Sequence, residues 1–174
     1  MNNIVFLQLL EEQKWIVKIE ELLDKTKFSE LADGKIAKTS EEFQDFITLF
    51  SVCANESDNI WFLSYKDYNN SDNSSSFSWN EFEIQSLDIS ENDSERNEIR
   101  NFWDRHLPFL MSVKNGYQYL SIGIREDNFG KIYYGCEPIY EEAILIAESF
   151  SNFKKYYIDA LKGVYYSKYY TFII

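Results

Sequence analysis

Catalysis near neutral pH usually needs a histidine, an activated thiol or a pair of carboxylates, and this chain supplies few of them in a useful arrangement. Its one histidine, His106, stands between Arg105 and Leu107, with no second histidine and no paired cysteines to complete a zinc site. Cys53 and Cys136 lie far apart without metal or redox spacing and read as buried or free thiols. Carboxylates adjoin at Glu20-Glu21, Glu41-Glu42 and Glu141-Glu142. Adjacent residues on a helix or strand point apart, so none of these pairs defines one site. Gly123, Gly130 and Gly135 fall in or between expected strands, not ahead of a helix, which leaves neither a phosphate-cradling loop nor a nucleophile elbow. These residue types point away from an enzyme, a metal and a cofactor. The remaining enzyme reading is a site assembled from distant carboxylates that sequence spacing does not reveal.

Charge-selected protein contact is better represented. Across residues 77–89, Phe82 and Ile84 alternate with Glu81 and Glu83, and this period of two predicts a strand. Phe82 and Ile84 would face inward, with Trp79, Glu81 and Glu83 on the opposite face. In the competing reading Trp79 turns inward through a bulge near Asn80 and the glutamates are only solvated. In the first, a large anchor stands beside charges that choose the partner. With Tyr68 in the adjoining loop and Asp88 further on, the candidate partner-binding residues are Tyr68, Trp79, Glu81, Glu83 and Asp88.

The charge balance supports that class. Seventeen Lys and Arg against 29 Asp and Glu give a formal net charge of -12, which repels a phosphate backbone and argues against direct nucleic-acid binding. A basic protein surface would be attracted instead. Residues 80–104 hold eight acids and two bases, a net of -6, so half of the formal charge is concentrated there. Such a run is ordinarily a solvated face, but its concentration favours an acidic patch.

The elements that must position these residues can be read from periodicity. The 174 residues, 45% apolar and 18% aromatic, suit one globular domain spanning 1–174. A helix is expected over about residues 3–25, with Trp15, Ile19 and Leu22 at helical spacing. A second should start near Thr39, which has capping-box spacing to Glu42, and bury Phe43, Phe46, Ile47 and Phe50. Residues 60–65 read as a strand, 69–76 as a polar surface loop, and 91–105 as a helix with Ile99, Phe102 and Trp103 inward. Three strands follow in meander order at 108–114, 117–125 and 131–136. Asn115-Gly116 predicts a tight primed turn between the first two. In the middle strand Leu120, Ile122 and Ile124 alternate with Tyr119, Ser121 and Gly123, as one buried face requires. A last helix should be capped by Ser149 and end at Gly163, leaving an aromatic tail, 164–174, expected to add an edge strand. The apolar run from Ile4 to Leu10 has no preceding positive charge, and Glu11 and Glu12 follow it, so it lacks the layout of a secretory signal. No window reaches the length of a membrane span. The expectation is a cytoplasmic protein that does not contact a membrane.

The ordered set Asn115-Gly116-Tyr117, Tyr119-Leu120-Ser121-Ile122, Gly130-Lys131-Ile132-Tyr133 and Ile146-Ala147-x-Ser149-Phe150-x-x-Phe153 resembles the SUKH superfamily, which comprises bacterial toxin-immunity proteins and fungal cell-wall-synthesis regulators. The match covers roughly the last third of the chain. Upstream, Lys38-Thr39 and Asn55-Glu56 stand where the family has a proline and an Asn-Gly, as in a divergent subgroup. The resemblance implies an α+β fold with a central antiparallel or mixed sheet, helices packed mainly on one side, and no catalytic centre. It also implies a role: stoichiometric binding of a cognate protein toxin domain. The alternative within the same fold is a regulatory scaffold that binds an endogenous cytoplasmic protein.

Overall fold

In the computed structural model, which describes residues 1–20, 30, 32–69 and 77–174, the N-terminal apolar run forms two elements in place of the one long helix expected. Helix α1 (Asn3–Glu12) is capped by Asn2, whose side chain accepts from the Val5 amide at 2.8 Å, and buries Phe6, Leu7 and Leu10. It stops because Lys14 takes a left-handed backbone (φ 67°) and the Trp15 amide donates back to the Leu10 carbonyl. The β-branched run that follows becomes strand β1 (Ile16–Ile19), leaving Trp15 buried and Ile16 and Ile19 exposed. Residues 21–25 of the expected helix lie outside the described residues. So does the expected polar loop beyond Asn69.

Two 3₁₀ turns, Ala32–Gly34 and Ile36–Lys38, lead into α2 (Glu41–Thr48). The expected cap moves by one residue. Ser40 accepts from the Phe43 amide, while the Thr39 hydroxyl donates to the Ile36 carbonyl. Phe43, Phe46 and Ile47 are buried in α2 as expected, and Phe50 opens β2 (Phe50–Ala54). Strand β3 (Ile60–Phe62) is shorter than the segment 60–65, since Tyr65 begins α3 (Tyr65–Asn69). Helices α4 (Glu81–Ile89) and α5 (Asp93–Trp103) precede the meander of β4 (His106–Ser112), β5 (Gln118–Gly123) and β6 (Ile132–Cys136). Strand β7 (Ile144–Ala147) and helices α6 (Phe150–Leu161) and α7 (Lys168–Phe172) close the chain.

The fold is α+β in a single domain, with an antiparallel sheet of seven strands whose spatial order is the chain order, β1 to β7. The β2–β3, β4–β5, β5–β6 and β6–β7 connections are short, as antiparallel neighbours allow, while α2 lies between β1 and β2 and α3, α4 and α5 lie between β3 and β4. The larger helical layer, α1, α2, α6 and α7, covers one face. There Phe6, Phe43, Phe46, Phe62, Phe109, Phe150, Phe153 and Tyr157 meet mostly edge-to-face or tilted, with Phe62 stacked on Phe109 and Phe150 on Phe153, at separations such as 5.3 Å for Phe43 and Phe150. Helices α4 and α5 cover the opposite face over β4 and β5, so every position of those two strands is buried. Tyr119 alternates with Leu120 as expected, but both faces are dry. Its ring packs between Trp103 and Phe82, 5.1 and 5.4 Å away.

Two expectations near the ends of strands are corrected. The β4–β5 connection spans 113–117, and of its Asn115-Gly116 pair only Gly116 is left-handed (φ +85°), so the turn is longer than the two-residue primed type. The aromatic tail forms helix α7, not an edge strand. Helical spacing turns Tyr170 and Ile173 inward together, Tyr170 lies 5.6 Å from Tyr165 and 6.3 Å from Tyr157, and Tyr157 donates its hydroxyl to the Ile173 carbonyl. The edge position belongs to β7. Ser149 caps α6 as expected, accepting from the Asn152 amide at 3.1 Å.

One buried cation ties three helices together. Lys154 of α6 is fully buried and donates to Asn3 Oδ1 at 2.5 Å and Glu42 Oε1 at 2.8 Å, while Asn3 Nδ2 donates to the Glu42 carbonyl. Removing the Glu42 carboxylate takes away the charge opposite an ammonium buried from water. Glu42→Gln is therefore expected to cost about 1–3 kcal/mol by urea denaturation, and adding Lys154→Met should recover part of it. An unchanged midpoint in the single variant would show that the pair is idle.

Candidate functional site

The segment expected as a strand with an acidic outer face is helix α4. Asn80 precedes the helix without a side-chain cap bond, and the Ser78 hydroxyl donates to Glu81 Oε2 at 3.3 Å just before the first turn. Four alternating residues are too few to fix a strand, and the helix sets Phe82 against Tyr119 and Tyr140. In the helix Phe82 and Ser86 turn inward together and Ile84 turns out, 40% exposed.

This change redistributes the five candidate residues. Tyr68 is in α3, not a loop, and is buried; its hydroxyl donates to the Pro108 carbonyl at 2.6 Å, and burial holds its pKa well above the usual phenol value. Trp79 is half-buried, its ring 6.3 Å from that of Tyr68. The Lys35 ammonium lies 5.4 Å from the Trp79 ring and 3.9 Å from Glu83 Oε2, and donates to the Trp103 carbonyl at 3.0 Å. Trp79 and Glu83 thus anchor a buried lysine, an internal task. Glu81 and Asp88 lie seven residues apart, on the same side of α4 as Gln85 between them. Asp88 is exposed.

That side of α4 borders a surface for which periodicity gave no signal. Tyr140, buried between the sheet and α4, packs its ring 4.6 Å from Phe82, donates its hydroxyl to Gln85 Oε1 at 2.9 Å, and accepts at its carbonyl from the Tyr119 hydroxyl at 2.6 Å. Burial pushes the Tyr140 phenol up to about 12, so it remains a donor. Trp103 Nε1 donates to Glu141 Oε1 at 2.6 Å. These bonds hold the 137–141 turn against α4 and α5.

Two grooves flank the turn. One, of about 630 Å³, is lined by Gln85, Asp88, Ile89, Glu137, Pro138 and Tyr140. The other, of about 260 Å³, shares Ile89 and Pro138 and adds Ile99 and Ile139 with Glu95, Glu98 and Glu141. Ile89 is 74% exposed and Ile139 51%, both among carboxylates, and among the described residues no lysine or arginine lines either groove. An apolar centre with a single-sign rim is what a basic protein surface would find complementary.

A further groove of about 590 Å³ lies between α1 and α2 beside Glu41, Glu42 and Asp45. Its Glu42 is already paired with Lys154. Among the described residues no group of three or more His, Cys, Asp or Glu is placed to hold a metal, and no helix is long and apolar enough to cross a membrane. His106 sits apart from the grooves, stacked on Phe102 at 4.1 Å, as an internal residue. Of the sequence-derived set, Asp88 is the one that lines either of the two grooves beside the 137–141 turn. Ile89, Glu137, Pro138, Ile139 and Glu141 were missed because two distant segments form the surface. The concentration of charge in 80–104 was the one available signal. Compared with known proteins, the chain matches no family model, no curated protein and no solved structure.

Proposed function

We propose that this protein is a non-catalytic binding protein of the immunity type, acting in the cytoplasm, which neutralises a cognate toxin domain by covering it with the face built from α4, α5 and the 137–141 turn. The immunity role rests on the resemblance of the C-terminal third to the SUKH superfamily. The observation that carries the location of the site is the pair of grooves meeting at Ile89 and Pro138, whose charged lining among the described residues is entirely acidic. A partner with a basic cleft would be drawn to these carboxylates, and its encounter would slow as salt rises. Ile89 and Ile139 would supply the apolar centre.

The test is affinity capture from the native cell, followed by co-expression of the captured protein. A toxin domain whose lethality is relieved by this chain is the expected result. Ile89→Asp with Asp88→Lys and Glu137→Lys should weaken capture by about a hundredfold, since buried apolar anchors dominate interface energy, while leaving the far-UV spectrum unchanged. Full capture by the triple variant removes the face from consideration. A housekeeping protein captured in place of a toxin turns the reading to a regulatory scaffold.

A further inference from the structure

Among the described residues strand β7 ends the sheet and pairs on one side only, with β6. Its residues are Ile144-Leu145-Ile146-Ala147, and Ile144 and Leu145 are each 41% exposed. Among the described residues no backbone hydrogen bond reaches β7 from outside the sheet and its adjoining helix. Natural edges are commonly protected by a charge within the strand. The opposite edge has one, Lys18 in the middle of β1. β7 has none, and its charges lie just outside it, at the exposed Glu142 and Glu148.

We infer that the free edge of β7 is a docking strand for an extended segment of a partner protein, one with a short apolar centre flanked by lysine or arginine. The inference rests on reading the 137–141 face as the partner surface, because β7 follows closely on that turn. The charges select the occupant. In an antiparallel pair of two copies centred on Leu145, each end would set a Glu142 opposite a Glu148, and like charges directly opposed are unfavourable. A strand with basic ends replaces both repulsions with attractions. Main-chain bonds to β7 would supply affinity, and the side chains beside Ile144 and Leu145 would supply register.

The probe is a synthetic peptide of alternating valine and threonine with lysines at both ends, titrated into the isotopically labelled full chain and followed by amide NMR. Saturable shifts and slowed exchange at Ile144 to Ala147, absent at Ile16 to Ile19, are expected. Binding should weaken at least about tenfold when alternate peptide amides are N-methylated, when glutamates replace its lysines, or when Glu142→Lys and Glu148→Lys are made in the protein. No saturable shift at about 1 mM peptide overturns the inference. So do shifts confined to β1 or to Ile89 and Ile139, or protection of β7 through dimerisation without peptide. The two readings fail separately. If the groove triple variant loses its captured partner but the peptide ignores β7, the edge alone is wrong; if the peptide binds β7 while the triple variant captures normally, the groove alone is wrong.

Discussion

Replacing Gly135 by alanine is expected to destabilise the fold by about 3 kcal/mol or more. Gly135 of β6 pairs with Tyr119 of β5, and a Cβ at Gly135 would stand 2.3 Å from Tyr119 Cε1 and Cζ and 2.4 Å from its hydroxyl oxygen. The ring has no room to retreat. It is fully buried between Phe82 and Trp103, and its hydroxyl is committed to the Tyr140 carbonyl. The added methyl must therefore break that bond or part α4 and α5 from the sheet, so overpacking and a lost hydrogen bond combine. Urea denaturation checks the magnitude, and a loss under about 1 kcal/mol would refute the argument. Tyr119→Leu in the same chain should restore part of the stability, whereas Tyr119→Phe should not, because the clashing ring carbons remain. The Tyr119–Tyr140 bond also holds the 137–141 turn, so Gly135→Ala should weaken partner capture even where the protein stays folded.

Acid should destabilise the protein through His106, by about 3 kcal/mol. The imidazole is 6% exposed, its Nδ1 donates to the Phe102 carbonyl at 2.8 Å, and Asn128 donates to Nε2 at 3.3 Å. Asn128 also donates to the Arg105 carbonyl and accepts from the Arg125 amide, so the neutral tautomer is held from both sides. Burial is the main cause that pushes the pKa down to about 4; the neighbouring Arg105 charge adds to it, while the Phe102 carbonyl and Asp127 oppose it. An unfolded histidine titrates near its ordinary 6.5. Between these values the unfolded chain binds the extra proton. The contribution is thus fully present above about pH 6.5, falls as pH is lowered, and is gone below about 4. Unfolding free energies measured across that window should decline more steeply for the native chain than for His106→Gln, which removes the titration. Parallel slopes would show that His106 is not the group responsible, since carboxylates titrating at the acid end affect both proteins alike.

The features legible in the sequence were those decided within one element or one turn. Ser149 caps α6, the Phe150, Phe153 and Tyr157 stripe is buried, and the meander from His106 to Cys136 keeps its order, because caps and strong periodic patterns act over a few residues. Where two periods competed in a short segment, tertiary contacts decided. Residues 81–84 alternate like a strand yet fold as α4, since a helix puts Phe82 against Tyr119 and Tyr140. The apolar run after Lys14 looked helical, but β2 offered it a ladder of backbone hydrogen bonds. β7 was too short and too evenly apolar to show a period at all.

The sequence by itself determined the α+β class, the acidic charge and its concentration in 80–104, the want of catalytic spacing, and the framework of the last third. Composition and local periodicity carry the charge and the separate elements, while the α+β class was what the resemblance of the last third implied. Tertiary structure alone decided that Glu83 and Trp79 serve Lys35, that Tyr68 lies in the core, and that Asp88 meets Glu137 and Pro138 across a groove. The physical reason is that a surface joining α4 to a turn some fifty residues later exists only after the sheet has brought Tyr119, Tyr140 and Phe82 together, and no local pattern encodes that meeting.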